Sequence, residues 1–394
     1  VGTAREAPVV YVDPAPSRGD HLPGLLGLGA TAPVVRVRFA GTRVWVVCEP
    51  RLVRSILLDP RFSKAIEHAP PELADPLITA TRDAGIGNLL LSEGTEHIRL
   101  RRLHMTVFNP RAIRAREPAI AGLTRQLLAA IGDAEVDLVE ALAYPLPVAV
   151  ISELLGLPED VRPVLRAASE DISFGGSPEI VGRGVARLYA TVGHLVHAEP
   201  DRLLPGMITE LLALGDELSS REVVMWMAGL FIPGHESTAS LLASALYHVL
   251  RLPPAERPRG REELTAFTEE TLRRDPPFPL STYRFTTEEV VLDGVRVPAG
   301  APVLVNLAAA NHDPDAFPSP AEFAPGRAGA HFSFGFGPHL CLGATLARLE
   351  AVVALDSFLG AYPRARLADP DAPPEWQGDL AIRRLPRLRA RLVG

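Results

Sequence analysis

A mainly α fold with a minor β portion is predicted for this chain by three observations. Most segments between residues 50 and 275, and again from 342 to 360, place apolar residues at helical spacing. Alternating, β-rich sequence is confined to short stretches near 33–48 and 279–310. No strand–helix–strand alternation and no internal repeat runs through the 394 residues. With 47% hydrophobic residues the chain can bury a sizeable core. Its 38 prolines are spread out instead of forming a linker, which points to one domain with many short connections.

The elements follow in order. After a Pro/Gly-rich opening, Val35 to Phe39 alternates, Gly41-Thr42 can turn, and Arg43 to Val47 resumes, which predicts a hairpin. Helices are then predicted over Leu52–Leu58, Glu96–Phe108, Pro118–Ile131, Leu138–Leu155, Val181–Ala198 and Ser219–Arg251. The last begins with a capping-box pattern, Ser219-Ser-Arg-Glu222, in which hydroxyl and carboxylate satisfy free N–H groups. Met227, Leu230, Phe231, Leu241, Leu242, Ala245, Leu246 and Val249 make it apolar on more than one side, as in a helix through the middle of a protein. Pro233-Gly234 is expected to interrupt it. Beyond Pro276 the strands are short, with Val290 to Val297 reading as a hairpin around Asp293-Gly294. An irregular stretch from Asn311 to Arg327, a Gly-rich loop and a helix from Leu342 to Leu359 complete the chain.

Composition narrows the function. A net charge of −7 without a Lys/Arg block gives nucleic acid nothing to bind. The most apolar stretches, Leu22–Val35 and Leu138–Leu157, are broken by Gly, Pro or Glu and fall short of a membrane span. The start lacks a basic segment followed by an apolar core, so a cytoplasmic protein is expected. The two cysteines, Cys48 and Cys341, lie far apart and form no CxxC pair, which suggests neither a zinc site nor a disulfide. Cys48 sits in an apolar strand and reads as core. A small-molecule role is favoured.

The sharpest signal is Phe334-Gly-Phe-Gly-Pro-His-Leu-Cys-Leu-Gly343. Three glycines permit positive φ and close approach of backbone to a flat ligand. Cys341 ends the loop just before a helix marked by Leu342, Leu346, Leu349 and Val353. Free N–H groups and the helix dipole there favour a thiolate, the form that ligates metals. A phosphate loop would require Gly-Lys-Ser/Thr, which does not follow. His235-Glu236 begins an HExxH pattern, but residue 239 is Ala, and no Gly-x-Ser-x-Gly elbow occurs.

This loop matches every fixed position of Phe-x-x-Gly-x-x-x-Cys-x-Gly, and the chain resembles the cytochrome P450 family over most of its length. The resemblance implies a single P450 domain over 1–394, haem b as cofactor and Cys341 as its iron ligand, with Phe334, Gly335, Gly343 and Ala347 against the ring. Glu270-Thr-Leu-Arg273 resembles the Glu-x-x-Arg helix motif, whose charge network an arginine before the cysteine completes, here Arg327. Glu96-His97-Ile-Arg-Leu-Arg101 resembles the helix supplying a His and an Arg to the propionates, and a spacing of four puts both on one face. Arg284 and His339 are the further implied donors, since unpaired buried carboxylates are costly.

The family's oxygen-activating Ala-Gly-x-Asp/Glu-Thr reads Pro233-Gly-His-Glu-Ser237 here. The acid is Glu236, Ser237 stands for the usual Thr, and Thr238 is a neighbouring hydroxyl about 100° around the helix. Leu90, Gly229, Ile232, Pro233, Leu280 and Thr282 are implied to line the substrate pocket. The implied activity inserts one oxygen atom of O2 into a small organic molecule, in the manner of secondary-metabolite tailoring enzymes, with electrons from a ferredoxin and ferredoxin reductase. Pro233 and Ser237 keep open an oxidase that forms C–C or C–O bonds without oxygen insertion. A catalytically silent haem-binding or carrier-recruiting protein is the reading from another class, and the retained acid and hydroxyl weigh against it.

Overall fold

The computed structural model describes residues 6, 8–11, 19–39, 42–71, 73, 78, 88–132, 135–175, 177–215, 218–378 and 382–392. Its helices are α1 (Leu22–Gly27), α2 (Pro50–Leu58), α3 (Gly94–His104), α4 (Pro110–Ala115), α5 (Glu117–Ala129), α6 (Pro145–Leu155), α7 (Arg162–Phe174), α8 (Pro178–His197), α9 (Met207–Leu212), α10 (Ser220–Arg251), α11 (Gly260–Arg274), α12 (Leu307–Asn311) and α13 (Ala344–Ala361). Many prolines find their place at helix starts. Pro50, Pro110, Pro145 and Pro178 each occupy the first position of a helix, where the missing N–H would have had no partner.

The strands are β1 (Val9–Tyr11), β2 (Val34–Phe39), β3 (Thr42–Val47), β4 (Phe62–Ser63), β5 (Glu135–Asp137), β6 (Arg284–Thr286), β7 (Val290–Leu292), β8 (Val295–Val297), β9 (Pro302–Val305), β10 (Arg366–Leu367), β11 (Gln377–Gly378), β12 (Arg383–Arg384) and β13 (Arg389–Arg391). One sheet runs β1-β2-β3-β9-β6-β4. Its β2–β3 hairpin pairs Val34 with Val47, although Gly41 of the predicted turn lies outside the described residues. In the β7–β8 hairpin Asp293 and Gly294 both take positive φ, 47° and 82°, the pair of values that a two-residue turn of this twist requires.

Helix α10 forms where the capping box predicts. The Ser219 Oγ accepts from the Glu222 N–H at 3.2 Å and a Glu222 carboxylate oxygen accepts from the Ser219 N–H at 2.9 Å. It runs unbroken to Arg251, so the interruption expected at Pro233-Gly234 does not occur. Proline removes one hydrogen bond, a cost of about 3 kcal/mol in a free helix. Here the turns on both sides are largely buried, through Trp226, Met227, Ala228 and Phe231 before it and His235, Glu236 and Thr238 to Tyr247 after it. Gly234 also packs so closely on Ile151 of α6 that a Cβ would lie 2.9 Å from its Cδ1. Packing of that extent outweighs one lost bond. The predicted Glu96–Phe108 helix ends at His104, and Asn109, accepting from the Ala112 N–H at 2.9 Å, starts α4 instead.

Ahead of α6, residues Val139–Ala143 form a π-helical turn that closes with the Tyr144 N–H bonded to the Val139 carbonyl at 2.9 Å. The largest apolar cluster gathers around α10 and draws on α5, α6, α8 and α13. Among the described residues no helix is long and apolar enough to cross a membrane.

A buried charge network ties the irregular stretch to this core. Arg273 holds Glu270 through two bonds of 2.8 and 2.9 Å, and both side chains are 2% exposed. The same guanidinium donates to the carbonyls of Asn311, Pro320 and Glu322. Arg327 Nε reaches Glu270 at 3.2 Å and its other nitrogens cap the carbonyls of Pro318, Ser319 and Glu322. Glu270→Ala leaves a buried guanidinium without its carboxylate, at an expected cost of about 3–5 kcal/mol. Denaturant unfolding should show the loss, and an unchanged midpoint would remove the network from the supports of the fold.

Candidate active site

The cysteine loop is built on glycines that no other residue replaces cheaply. Gly335 and Gly337 have φ of 71° and 78°, and a Cβ on Gly337 would meet Leu58 Cδ2 at 2.7 Å and the Leu57 carbonyl at 3.3 Å. The loop closes on itself through Gly335 N–H to Phe332 O at 2.7 Å and Cys341 N–H to Phe334 O at 2.9 Å. Phe334 anchors it, packing with Leu241, Leu272, Ala347 and Ala351 from α10, α11 and α13. The Arg348 guanidinium lies 4.4 Å above the Phe334 ring and bonds Glu269 at 2.6 Å.

Cys341 is accessible and at the same time closely surrounded by protein, the situation of a side chain on the wall of a recess. Burial pushes its thiol up, and the N–H groups of Gly343 and Ala344 with the charges of Arg101 and Arg348 oppose this without prevailing. The N–H groups at the helix start favour the thiolate, as expected, and desolvation opposes them. Cys48 is 1% exposed, and burial raises its thiol to about 12.

Beside the loop lies a cluster of nitrogen donors. The His97 and His339 rings are 4.1 Å apart, and Arg101 donates to the Leu340 carbonyl at 3.0 Å. Arg284, on β6, donates to the carbonyls of Phe62 and Leu57 at 3.0 and 3.5 Å. His97 Nε2 and Arg284 Nε are buried without a hydrogen-bond partner, and His339 Nε2 sits 3.2 Å from Glu93 Oε1 out of hydrogen-bond alignment. Two residues not singled out in the sequence join them. Lys64 is buried, donates to Thr282 Oγ1 and, at 3.2 Å, to the Tyr283 carbonyl, and its own N–H bonds Glu93 at 2.8 Å. Burial, and then the Arg284 charge, lower its amine to about 7. The Lys64 amine finds its partners more than two hundred residues away in sequence, and no local pattern marks either residue.

These donors fit the haem that the resemblance implies. Buried N–H groups left without acceptors are costly, and a pair of carboxylates is what they lack. Gly343 leaves its Cβ position open, 4.0 Å from Cys341 Sγ, which suits the edge of a flat ring.

Across the chain, α10 presents one open strip. Pro233 is exposed and Ile232, Gly229 and Ser237 are half-buried, in a helix otherwise deeply buried. Ser237 Oγ donates to the Pro233 carbonyl at 2.9 Å, and Thr238 is buried with Oγ1 3.5 Å from the Gly234 carbonyl. Glu236 does not share that strip: it is 2% exposed and turned toward Tyr144 and Ser169. Leu90 is half-buried and Thr282 exposed. Leu280 is a correction. It is 3% exposed and packs into the apolar cluster of Leu25, Val35, Val46 and Leu304, drawn there by its bridge to Asn306, and so does not line a pocket.

The comparisons agree with one another. The family profile described as Cytochrome P450 matches residues 261–381. The cytochrome P450 monooxygenase PikC of Streptomyces venezuelae is 36% identical over 385 residues, 94% of this chain and 91% of its own. The tirandamycin C-bound P450 monooxygenase TamI superposes with a TM-score of 0.87 at 32% identity, covering 98% of this chain and 100% of its own. CxnD, a cytochrome P450 for C–S bond formation in chuangxinmycin biosynthesis, gives 0.85 at 26% identity, with 98% of each chain covered.

The glycine at 337 offers a direct check on the loop. Gly337→Ala forces a side chain into left-handed backbone and against Leu57 and Leu58, at an expected cost of about 1–3 kcal/mol. Gly360→Ala, inside α13 with nothing within 4 Å of the new Cβ, should leave the melting temperature equal or higher. Equal behaviour of the two variants would contradict the strained-loop description.

Proposed function

The chain belongs to the cytochrome P450 family, and from that premise we propose that it places one oxygen atom of dioxygen into a small secondary metabolite, with electrons from a ferredoxin and its reductase. It is an enzyme, a P450 monooxygenase with a haem cofactor. We take the haem to be of the b type, because the two cysteines form no CxxCH attachment motif. The observation that carries the reading is Cys341, open on the wall of a recess next to buried nitrogen donors that lack acceptors.

Cys341 Sγ would hold the iron, and His97, Arg101, Arg284 and His339 would hold the two propionates. Phe334 and Ala347 pack together behind the loop, and with Gly335 and Gly343 they leave room for the ring. The haem, once held by a thiolate, supplies the electron-rich centre that activates dioxygen. The chain's own residues orient substrate and move protons. Ser237 Oγ carries a hydroxyl proton at the open strip, given to the Pro233 carbonyl, and Glu236 one position earlier is the acid that restores it. Leu90, Gly229, Ile232, Pro233 and Thr282 present a surface that is mainly apolar to the substrate, as a pocket for a secondary metabolite requires. The structure of the P450 monooxygenase TamI holds tirandamycin C, a small organic molecule, and PikC is likewise a monooxygenase.

Electron delivery is supported by a surface beside the cysteine loop. Leu58, Ile98 and Leu340 are 50%, 68% and 42% exposed, and the arginines Arg54 and Arg102 stand exposed on the same helices. An apolar patch with positive charge suits an acidic electron carrier. A second reading, oxidative bond formation without oxygen insertion, is favoured by the exposed Pro233 in mid-helix and by the C–S bond chemistry named for CxnD. Product mass separates the two.

Reduced protein treated with carbon monoxide should show the red-shifted absorption of a thiolate-ligated haem, and Cys341→Ala should abolish it. A spectrum of histidine ligation in the native chain would end the reading. A panel of secondary metabolites should then contain compounds that shift the haem spectrum. Pro233→Ala should change which of them do so, and an unchanged panel would remove Pro233 from the pocket.

A further inference from the structure

Glu236 is placed where it can be supplied with protons from the side away from the open strip. Its Oε1 accepts from Ser169 Oγ at 2.8 Å and from Tyr144 Oη at 3.0 Å. His235 Nε2 lies 3.5 Å from that same oxygen and 3.3 Å from Tyr144 Oη. The other ring nitrogen, Nδ1, is 2.7 Å from the Phe231 carbonyl. A carbonyl only accepts, so Nδ1 carries a proton, and Nε2 is a lone pair in the neutral ring and an N–H in the cation.

That assignment makes the cluster one proton short. With the ring neutral, Glu236 Oε1 and His235 Nε2 compete for the single hydroxyl proton of Tyr144. With the ring protonated, each contact has a donor and an acceptor. A pocket built only to satisfy a buried carboxylate would surround it with donors. A second acceptor that can itself be protonated is the property of a proton store.

Charged groups flank the cluster. The Arg166 guanidinium lies 4.4 Å over the Tyr144 ring, bonds Glu140 at 2.7 and 3.0 Å and reaches Glu170 at 3.4 Å. Those carboxylates are 58% and 49% exposed. On the remaining side stands β12. Ser240 Oγ donates to the Arg383 carbonyl, which seats this strand on α10 one turn past Glu236. Arg383 turns to Asp20 and Asp275, and by strand alternation Arg384 turns the other way, 3.3 Å over the Phe174 ring. Arg384 Nε is buried without a partner, and its charge acts on Glu236 and Tyr144. Burial raises the Glu236 carboxyl, but the His235 and Ser169 bonds and the charges of His235 and Arg384 hold it below its usual range. Burial and the Glu236 charge push the Tyr144 phenol far up, so it stays O–H.

We propose that His235 stores a proton and passes it through the Tyr144 hydroxyl to Glu236, reloading the acid that serves the oxygen chemistry. The transfer balances within the cluster. Tyr144 Oη accepts the His235 Nε2 proton while releasing its own to Glu236 Oε1, so one proton moves, the ring ends neutral and the phenol is unchanged. Tyr144 and His235 are positioning residues, since neither touches substrate. The inference rests on the reading of Glu236 given above.

The test uses holoenzyme with a plant-type ferredoxin, its reductase, NADPH and dioxygen, without added substrate. Wild-type electron consumption should fall as pH rises, with an inflection where the His235 ring loses its Nε2 proton. His235→Gln should lose that inflection. Tyr144→Phe should keep it and run about a hundredfold slower throughout, the lower end of the scale of one lost proton hand-over. In the diamagnetic ferrous carbon monoxide form, 15N signals of His235 should show the ring gaining its Nε2 proton across that inflection, at a midpoint displaced in Tyr144→Phe. A wild-type pH profile in His235→Gln, or a ring that stays neutral throughout, overturns the proposal. So does a loss of thermal stability in both variants with the profile intact, which is the mark of a structural role. A wild-type profile in Glu236→Gln instead removes the reading beneath it, whatever the His235 variant does.

Discussion

The buried carboxylate of Glu270 is the constraint on which the site depends. Arg273 and Arg327 converge on it, and together they collect carbonyls from Asn311, Pro318, Ser319, Pro320 and Glu322. These belong to a stretch with little regular structure of its own, whose backbone groups would otherwise find no partners. A buried ion pair of this kind gains little in net stability against an apolar substitute. Its use is positional: it fixes the path of the chain from α12 toward the cysteine loop, and Phe334 completes the anchoring by entering the cluster of Leu241, Leu272 and Ala351.

From that anchor the molecule presents two contrasting environments. Beside the loop, among the described residues, Glu93 is the carboxylate whose charge acts on Lys64, His97, Arg284 and His339. Burial lowers both imidazoles and the Lys64 amine, so the cluster is costly until carboxylates enter it. Along α10 the balance is the reverse, with a carboxylate buried among hydroxyls and an imidazole. At Cys341 burial raises the thiol against the N–H groups of Gly343 and Ala344 and the charges of Arg101 and Arg348, and a bound metal would add to those groups in favouring the anion.

Sequence reasoning carries the fold where the signal is local. The capping box at Ser219 and the Asp293-Gly294 turn act through neighbours a few residues away, and the positive φ of Gly335 and Gly337 is just as local. Proline placement is equally local, yet Pro233 shows its limit, because packing from α6 keeps a helix continuous that the residue alone would break. The Glu-x-x-Arg pattern and the His97–Arg101 spacing point to their helices, while their partners come from distant segments. Lys64, Glu93, Tyr144, Ser169 and Arg384 leave no trace in pattern, since what distinguishes them is the tertiary arrangement. Leu280 fails for the same reason, as position along the chain says nothing of which side of a strand bridge a side chain takes.

The π-helical turn at Val139–Ala143 carries one residue more than an α turn closing the same gap. Removing a single residue there would tighten the turn and swing Tyr144 about 100° around the axis, off Glu236 and from under Arg166. A one-residue deletion there would therefore break the Tyr144–Glu236 contact while leaving Tyr144, His235 and Glu236 themselves in the chain.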